Sequence, residues 1–125
     1  MTITDLFVES FPPTDGSGGG WDLTNGPELY IQVYKGSNQL YSSPTYYSNA
    51  SNGNNYEFTP NSPINILYPD QTYIIKFWDY DTPDPDDYMG ALNITPYWSS
   101  TNGFPSTIEF SAGQYKIKAT VTYAW

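Results

Sequence analysis

The clearest pattern along this chain is an alternation of apolar and polar residues with a period of two. It runs through residues 28–35 and again through residues 113–125. Successive side chains of a β-strand point to opposite faces of a sheet, so both segments are predicted to be strands with one buried face. The predicted inward residues are Leu29, Ile31 and Val33 in the first segment and Tyr115, Ile117, Ala119, Val121 and Tyr123 in the second.

A denser apolar run, residues 72–78, is predicted to be a central strand because it is rich in Tyr, Ile, Phe and Trp. Pro44 interrupts the candidate strand of residues 40–47, which we therefore place at a sheet edge. In the candidate strand of residues 2–11, Leu6 and Val8 would lie on one face and Phe7, Glu9 and Phe11 on the other. The remaining strand candidates are residues 2–11, 40–47, 56–59, 64–67, 89–94 and 106–110.

These segments, with turn signals between them, predict an all-β fold of about eight strands and almost no helix. A length of 125 residues suits one domain, and we expect residues 1–125 to form a single antiparallel β-sandwich. The chain has no cysteine, which excludes a disulfide framework and thiolate chemistry. No stretch approaches the ~20 apolar residues of a membrane-spanning helix.

The predicted central strand leads directly into a loop with five aspartates in nine residues, from Asp79 to Asp87. So many close carboxylates stay ionised only if a cation lies among them. The chain has only four Lys+Arg and no His, so a hard divalent cation, Ca²⁺ first, is the expected counter-charge. An EF-hand does not fit, because the sixth and twelfth positions counted from Asp79 are Asp84 and Gly90.

The spacing of this loop resembles the third calcium-binding loop of C2 domains. In that family, acidic residues stand at a first position, two residues later and eight residues later, followed by an apolar residue and a glycine. Those positions are occupied here by Asp79, Asp81, Asp87, Met89 and Gly90.

A second segment resembles the first calcium-binding loop of the same family, in which two acidic residues are six positions apart and a strand follows. Asp22 and Glu28 have that spacing. The segment departs from the family pattern at Glu28, where Asp is usual, and at Leu29, where Pro is usual. The resemblance implies an eight-stranded Greek-key sandwich. It also raises a circularly permuted (type II) arrangement, in which the C-terminal strand replaces the leading strand.

The resemblance further implies a set of calcium ligands and one to three bound ions, with two expected. Asp22, Asp79 and Asp81 would bridge two ions, while Asp87 and Glu28 would each complete one of them. The backbone oxygens of Leu23 and Tyr80 would fill other places, and Asp84 would strengthen an outer site. Asp86 is predicted to be solvated.

The alternative interpretation of the acidic loop is a solubilising segment with no metal. The net charge of -9 argues against nucleic-acid binding, which needs a basic face. The sequence contains no His, no Cys and no Gly-x-Ser-x-Gly element, and paired carboxylates alone would need a cleft to act in catalysis. We therefore expect a binding module rather than an enzyme.

Three functions remain open for such a module. Calcium could stiffen an extracellular domain that contacts neighbouring protein subunits, it could assist sugar binding by exposed aromatic rings, or it could direct docking to phospholipid. We expect at most weak membrane binding, and the composition favours an extracellular or cell-surface location in bacteria, with the cytoplasm as the alternative. The candidate sugar-stacking residues are Tyr46, Tyr47, Tyr97 and Trp98.

Overall fold

Nine β-strands form two antiparallel sheets in the part of the chain that the computed structural model describes, which is residues 1–12, 26–81, 85–96 and 103–123. No helix occurs in these residues, as the sequence predicted, and none is therefore long and apolar enough to span a membrane. The strands are β1 (Thr2–Ser10), β2 (Leu29–Lys35), β3 (Asn38–Ser42), β4 (Tyr56–Phe58), β5 (Ile64–Asn65), β6 (Tyr73–Asp79), β7 (Asp87–Ile94), β8 (Thr107–Ala112) and β9 (Tyr115–Thr122).

The first sheet has the order β4-β1-β9-β8, with β5 also paired to β1, and the second has the order β3-β2-β6-β7. The predicted β-sandwich is thus confirmed, with one short strand more than the eight expected. The strand β3 lies at an edge, as predicted from Pro44. The C-terminal strand β9 pairs with β1 along its length, which agrees with the permuted arrangement.

The core lies between the two sheets and consists of the inward residues that the period-two pattern predicts. In β2 and β6 every second residue is buried, from Leu29 to Val33 and from Tyr73 to Asp79. In β9 the buried residues are Ile117, Ala119 and Val121. Tyr115 and Tyr123, which were also predicted to face inward, are only half-buried and pack against the margin of the core.

The prediction for Phe11 is wrong, because this side chain is buried in the same core as Leu6 and Val8. The cause is a register shift in the β1–β9 pairing between Val8 and Ser10. A β-bulge inserts one residue into a strand, so every residue after it changes face. The side chain of Asn52 then holds Phe11 in place, with bonds of 3.0 and 2.9 Å to its backbone N–H and carbonyl.

The pairing of β2 with β6 fixes where the acidic segments meet. Leu29 is the partner of Asp79, so the start of β2 and the end of β6 lie at the same end of the sandwich, which we call the acidic rim. The chain enters β7 at that rim, at Asp87. Tyr115, the first residue of β9, donates a hydrogen bond to the carbonyl of Met89 near the start of β7, so this end of the β1–β9 pair is the one close to the rim. Thr2 and Thr122 are partners at the opposite end of that pair.

Candidate metal centre

Three carboxylates converge at the acidic rim. Asp79, Asp81 and Asp87 each offer one oxygen, and these oxygens all lie within 4.8 Å of one another. Calcium binds oxygen at 2.3–2.6 Å, so two of its ligand atoms can be up to about 5.2 Å apart. The three oxygens are therefore close enough that at most a small inward shift of their side chains would bring all of them into contact with one calcium ion.

Asp79 is the only charged side chain that is fully buried among the described residues, with 0% of its surface exposed. The period of two in β6 explains its position: it follows Tyr73, Ile75 and Phe77 on the inward face. Its Oδ1 atom accepts a hydrogen bond of 2.8 Å from the backbone N–H of Glu28. A carboxylate buried at the end of an apolar strand is costly unless a cation compensates for its lost hydration.

The four cationic side chains of the protein are lysines, and each contacts a group away from the three aspartates. Lys116 and Lys118 each lie 3.3 Å from a carboxylate oxygen of Glu9. The ammonium of Lys76 lies 4.2 Å from the centre of the Tyr34 ring, and Lys35 lies over the ring of Tyr73. A counter-charge at the acidic rim is therefore expected to come from solution.

A β-bulge at Gly90 sets the direction in which β7 reaches the rim. Lys76 pairs with Ala91 and Trp78 with Tyr88, so the single residue Phe77 lies opposite two residues of β7, Met89 and Gly90. Gly90 has φ of 99°, which side chains disfavour. The sequence motif contained this glycine, and the structure supplies its physical reason, since bulges commonly redirect side chains next to functional sites.

Glu28 contributes its backbone to the rim, whereas its carboxylate is not one of the three that converge. Besides the bond to Asp79, its carbonyl accepts a hydrogen bond of 2.8 Å from the N–H of Tyr80. This contact positions Tyr80, whose own carbonyl remains a predicted ligand. The predicted ligands Asp22, Leu23 and Asp84 lie outside the described residues.

The prediction that Asp86 is solvated is wrong. Its Oδ2 atom accepts a hydrogen bond of 2.5 Å from the hydroxyl of Tyr30, and its Oδ1 atom accepts one of 3.0 Å from the backbone N–H of Asp81. Burial, followed by the hydrogen bond and the charge of Asp86, raises the pKa of Tyr30, so the tyrosine keeps its proton and remains a donor. Asp86 therefore joins the two ends of the acidic loop to the face of β2.

Comparison with known proteins bears on the fold. No protein-family model matches the sequence, and no curated protein matches it. A solved structure described as a C2 domain aligns with 94% of this chain and 90% of its own, with a TM-score of 0.56 and 17% identity. The chain therefore has a C2-like fold. A C2 domain of plant extended synaptotagmin 1 aligns over 98% and 99% of the two chains, with a TM-score of 0.49 and 11% identity.

In this C2-like domain, an open pocket with a volume of about 340 Å³ lies beside the acidic rim. Of the predicted sugar-stacking residues, the structure places Tyr46 there, with 43% of its surface exposed. Tyr47 instead packs on Tyr56 and Phe58, and its hydroxyl donates a hydrogen bond to the carbonyl of Glu57. Tyr97 and Trp98 lie outside the described residues. The pocket is lined by Tyr30, Ser43, Pro44, Thr45, Tyr46, Tyr80 and Asp86.

Sequence reasoning missed the contribution of Tyr30, Tyr80 and Asp86 to this pocket. Tyr30 is far from Tyr80 and Asp86 along the chain, and it meets them only because β2 pairs with β6. The one usable signal was the alternation in β2, which places Tyr30 on the outward face opposite the buried Leu29 and Ile31.

Proposed function

We propose that this C2-like domain is a non-catalytic calcium-binding module, in which Asp79, Asp81 and Asp87 form the centre of the metal site. The observation that carries the proposal is the convergence of three carboxylates, one of them fully buried, at one end of the sandwich. Oxygen ligands and a net negative site are what Ca²⁺ prefers in proteins. The spacing of these residues in the sequence supports the same conclusion independently.

We expect two ions, with a range of one to three. The first would bind to the three converging aspartates. The second would require the carboxylate of Glu28 to turn toward the rim, together with Asp22 and the backbone oxygens of Leu23 and Tyr80. Asp84 would extend the site outward. Because the sequence predicts that the acidic segments are long loops, we expect the weakest site to have a dissociation constant of about 10⁻⁴–10⁻³ M, as in extracellular modules.

This affinity suggests the role of the ion. A site of such strength fills only where calcium is near millimolar, which supports an extracellular or cell-surface location. There the ion would hold the end of β6 to the start of β7 and stiffen the rim, so that it presents a fixed surface. We propose that this surface mediates interaction or assembly with neighbouring protein subunits.

Docking to anionic phospholipid is a weaker candidate because the domain has no basic face in its described parts. Two of the four lysines share Glu9, and a third lies against Tyr34. Each lysine near an anionic bilayer contributes about 1 kcal/mol only if its charge is available to the lipid. A net charge of -9 would instead repel such a surface.

Thermal melting in calcium and in EDTA tests the proposed metal site. A ligand that binds only the folded state at ~100 times its dissociation constant adds about 2.7 kcal/mol. For a domain of this size, that gain raises the melting temperature by about 10 °C. Equal melting curves in the two buffers would exclude the site.

A matched pair of variants locates the site. Asp81→Asn should remove most of the calcium-dependent shift, because it replaces a carboxylate of the converging group. Asp70→Asn removes the same charge from an exposed turn and should leave the shift unchanged. If both variants lost the shift equally, the effect of calcium would be a general charge effect rather than binding at the rim.

A further inference from the structure

The pocket beside the rim is formed by a short arch, residues 43–47, that leaves the edge of the sheet and returns to it. At its first end, the N–H of Ser43 donates to the carbonyl of Ile31 at 3.0 Å. At its second end, Tyr47 and Leu29 exchange two backbone hydrogen bonds of 2.9 Å. Between these anchors the arch is not paired with β2, and Pro44 has no N–H to donate. The arch and the outward side chain of Tyr30 both line the pocket.

One wall of the pocket is a pair of stacked tyrosine rings. Tyr46 from the arch and Tyr80 from the acidic loop have ring centres 4.6 Å apart and planes 11° apart. The backbone N–H of Tyr80 is in turn held by the carbonyl of Glu28, and Tyr46 precedes the anchored Tyr47. The rings are thus fixed from both sides, and a rigid aromatic surface binds a ligand with little loss of side-chain entropy.

The acidic group that lines the pocket is also fixed in position. The carboxylate of Asp86 is held through both oxygens, by the Tyr30 hydroxyl and by the Asp81 N–H. Each of these oxygens has a further lone pair that can accept another hydrogen bond. No lysine is among the residues described as lining the pocket, so nothing in that lining would attract a phosphate or a carboxylate.

A flat aromatic ring beside a fixed acceptor matches a ligand that has one apolar face and several hydroxyl groups. We propose that this pocket binds a single pyranose ring of a neutral saccharide, which stacks its C–H face on Tyr46 and donates hydroxyl hydrogen bonds to Asp86. The volume of about 340 Å³ lies at the lower end of the ~300–1,000 Å³ typical of small-molecule sites, which suits one ring rather than a long chain.

A quaternary ammonium or a lysine side chain is the competing ligand, since cations also bind aromatic rings and carboxylates. The geometry favours the sugar. Tyr46 and Tyr80 stack on each other and form one wall, whereas cages for such cations surround the charge with several ring faces. The charge of Asp86 is moreover shared with two hydrogen-bond donors.

Saturation-transfer NMR of the ligands, together with a titration that follows the ring protons of the protein's tyrosines, tests the proposal. The probes are the methyl glycosides of glucose, galactose, mannose and N-acetylglucosamine, with tetramethylammonium as the cation probe. We expect at least one glycoside to bind saturably, with a dissociation constant of the order of 1 mM, and to shift the ring protons of Tyr46. Because none of the three converging aspartates is among the residues described as lining the pocket, binding should be present in EDTA as well as in calcium. The proposal therefore does not rest on the metal site.

The variants compare two exposed tyrosines. Tyr46→Ala should weaken binding about tenfold, and Tyr46→Phe should retain it. Tyr68→Ala should have no effect, because Tyr68 is 54% exposed but lines a different part of the surface. The shifts in the unmodified protein locate the ligand even if a variant folds poorly.

Three results would overturn the proposal. One is that no glycoside binds at concentrations of about 50 mM, well above the expected dissociation constant. Another is that tetramethylammonium shifts the Tyr46 ring while the glycosides do not. The third is glycoside binding that requires calcium, disappears in Asp81→Asn and survives Tyr46→Ala, because the sugar would then bind the metal ion rather than the pocket.

Discussion

Gly90 offers a sharp test of how the bulge in β7 is built. A Cβ atom added at this position would lie 1.9 Å from the hydroxyl oxygen of Tyr115 and 3.0 Å from its Cζ atom. Tyr115 cannot move without cost, because its hydroxyl donates a 2.8 Å hydrogen bond to the carbonyl of Met89 and its ring packs 5.0 Å from that of Phe77. Gly90→Ala should therefore displace Tyr115 as well as strain the backbone.

The expected magnitude follows from these two effects. A side chain held at a disfavoured positive φ costs about 1–3 kcal/mol, and loss of the Tyr115 hydrogen bond adds about 1 kcal/mol. Gly90→Ala should thus lower the free energy of unfolding by about 2–4 kcal/mol. Gly113→Ala is the matched control, since Gly113 has φ of 57° with nothing within 4 Å of an added Cβ. It should cost only the backbone strain, about 1 kcal/mol.

Urea unfolding of a double-mutant cycle separates the steric effect from the backbone strain. Tyr115→Phe alone should cost about 1 kcal/mol, through loss of the hydrogen bond to Met89. In the Gly90→Ala background it should cost nothing or restore stability, because it removes the atom nearest to the new methyl group. Changes that add to within about 0.5 kcal/mol would refute the reasoning, since they would mean that the two residues do not interact.

Three further predictions concern the loop, the lysines and lipid. In EDTA, Asp86→Asn should lower the free energy of unfolding by about 1 kcal/mol in a denaturant titration, because it replaces one of the two oxygens that accept from Tyr30 and Asp81 with an NH2 group, which can only donate; an unchanged value would show that these bonds do not stabilise the loop. Glu9→Gln should destabilise the domain by up to about 1 kcal/mol at pH 7. Burial alone would raise the pKa of Glu9, but the hydrogen bonds and charges of Lys118 and Lys116 hold that pKa below its usual value of 4.5. That stabilisation is present above about pH 4.5 and is lost as the pH falls through the lowered pKa, so melting curves of the two proteins should converge in acid, and a constant difference would contradict the assignment. Phosphatidylserine liposomes at about 0.15 M salt should pellet none of the protein in EDTA and little of it with calcium, whereas tight calcium-dependent pelleting would place lipid docking first.

The strands could be predicted wherever one face of a sheet is buried, because burial imposes a period of two on the sequence. Leu29 to Val33 and Ile117 to Val121 show this directly. The bulges could not be predicted, because an inserted residue changes the face of everything after it without altering local composition. Phe11 was assigned to the wrong face for this reason.

The acidic cluster was accessible to sequence reasoning because its spacing is set by a strand end and a strand start. Asp79 is the last residue of β6 and Asp87 the first of β7. The difference between Asp86 and Asp87 was not accessible. Adjacent residues at a strand start point in opposite directions, and only the position of Tyr30 shows that one of them is taken up by a hydrogen bond. Pro44 indicated that a strand is interrupted, but not that the interrupted segment would form a pocket with Tyr30, Tyr80 and Asp86.

The pairing of Thr2 with Thr122 has a practical consequence for the way this domain can be joined to other material. Both strand ends lie side by side, at the end of the β1–β9 pair remote from the acidic rim. A host protein could accept the domain within a single surface loop, since insertion succeeds where the two junctions are close together. For the same reason, a surface or a label attached through either end would leave the rim and its neighbouring pocket facing solution.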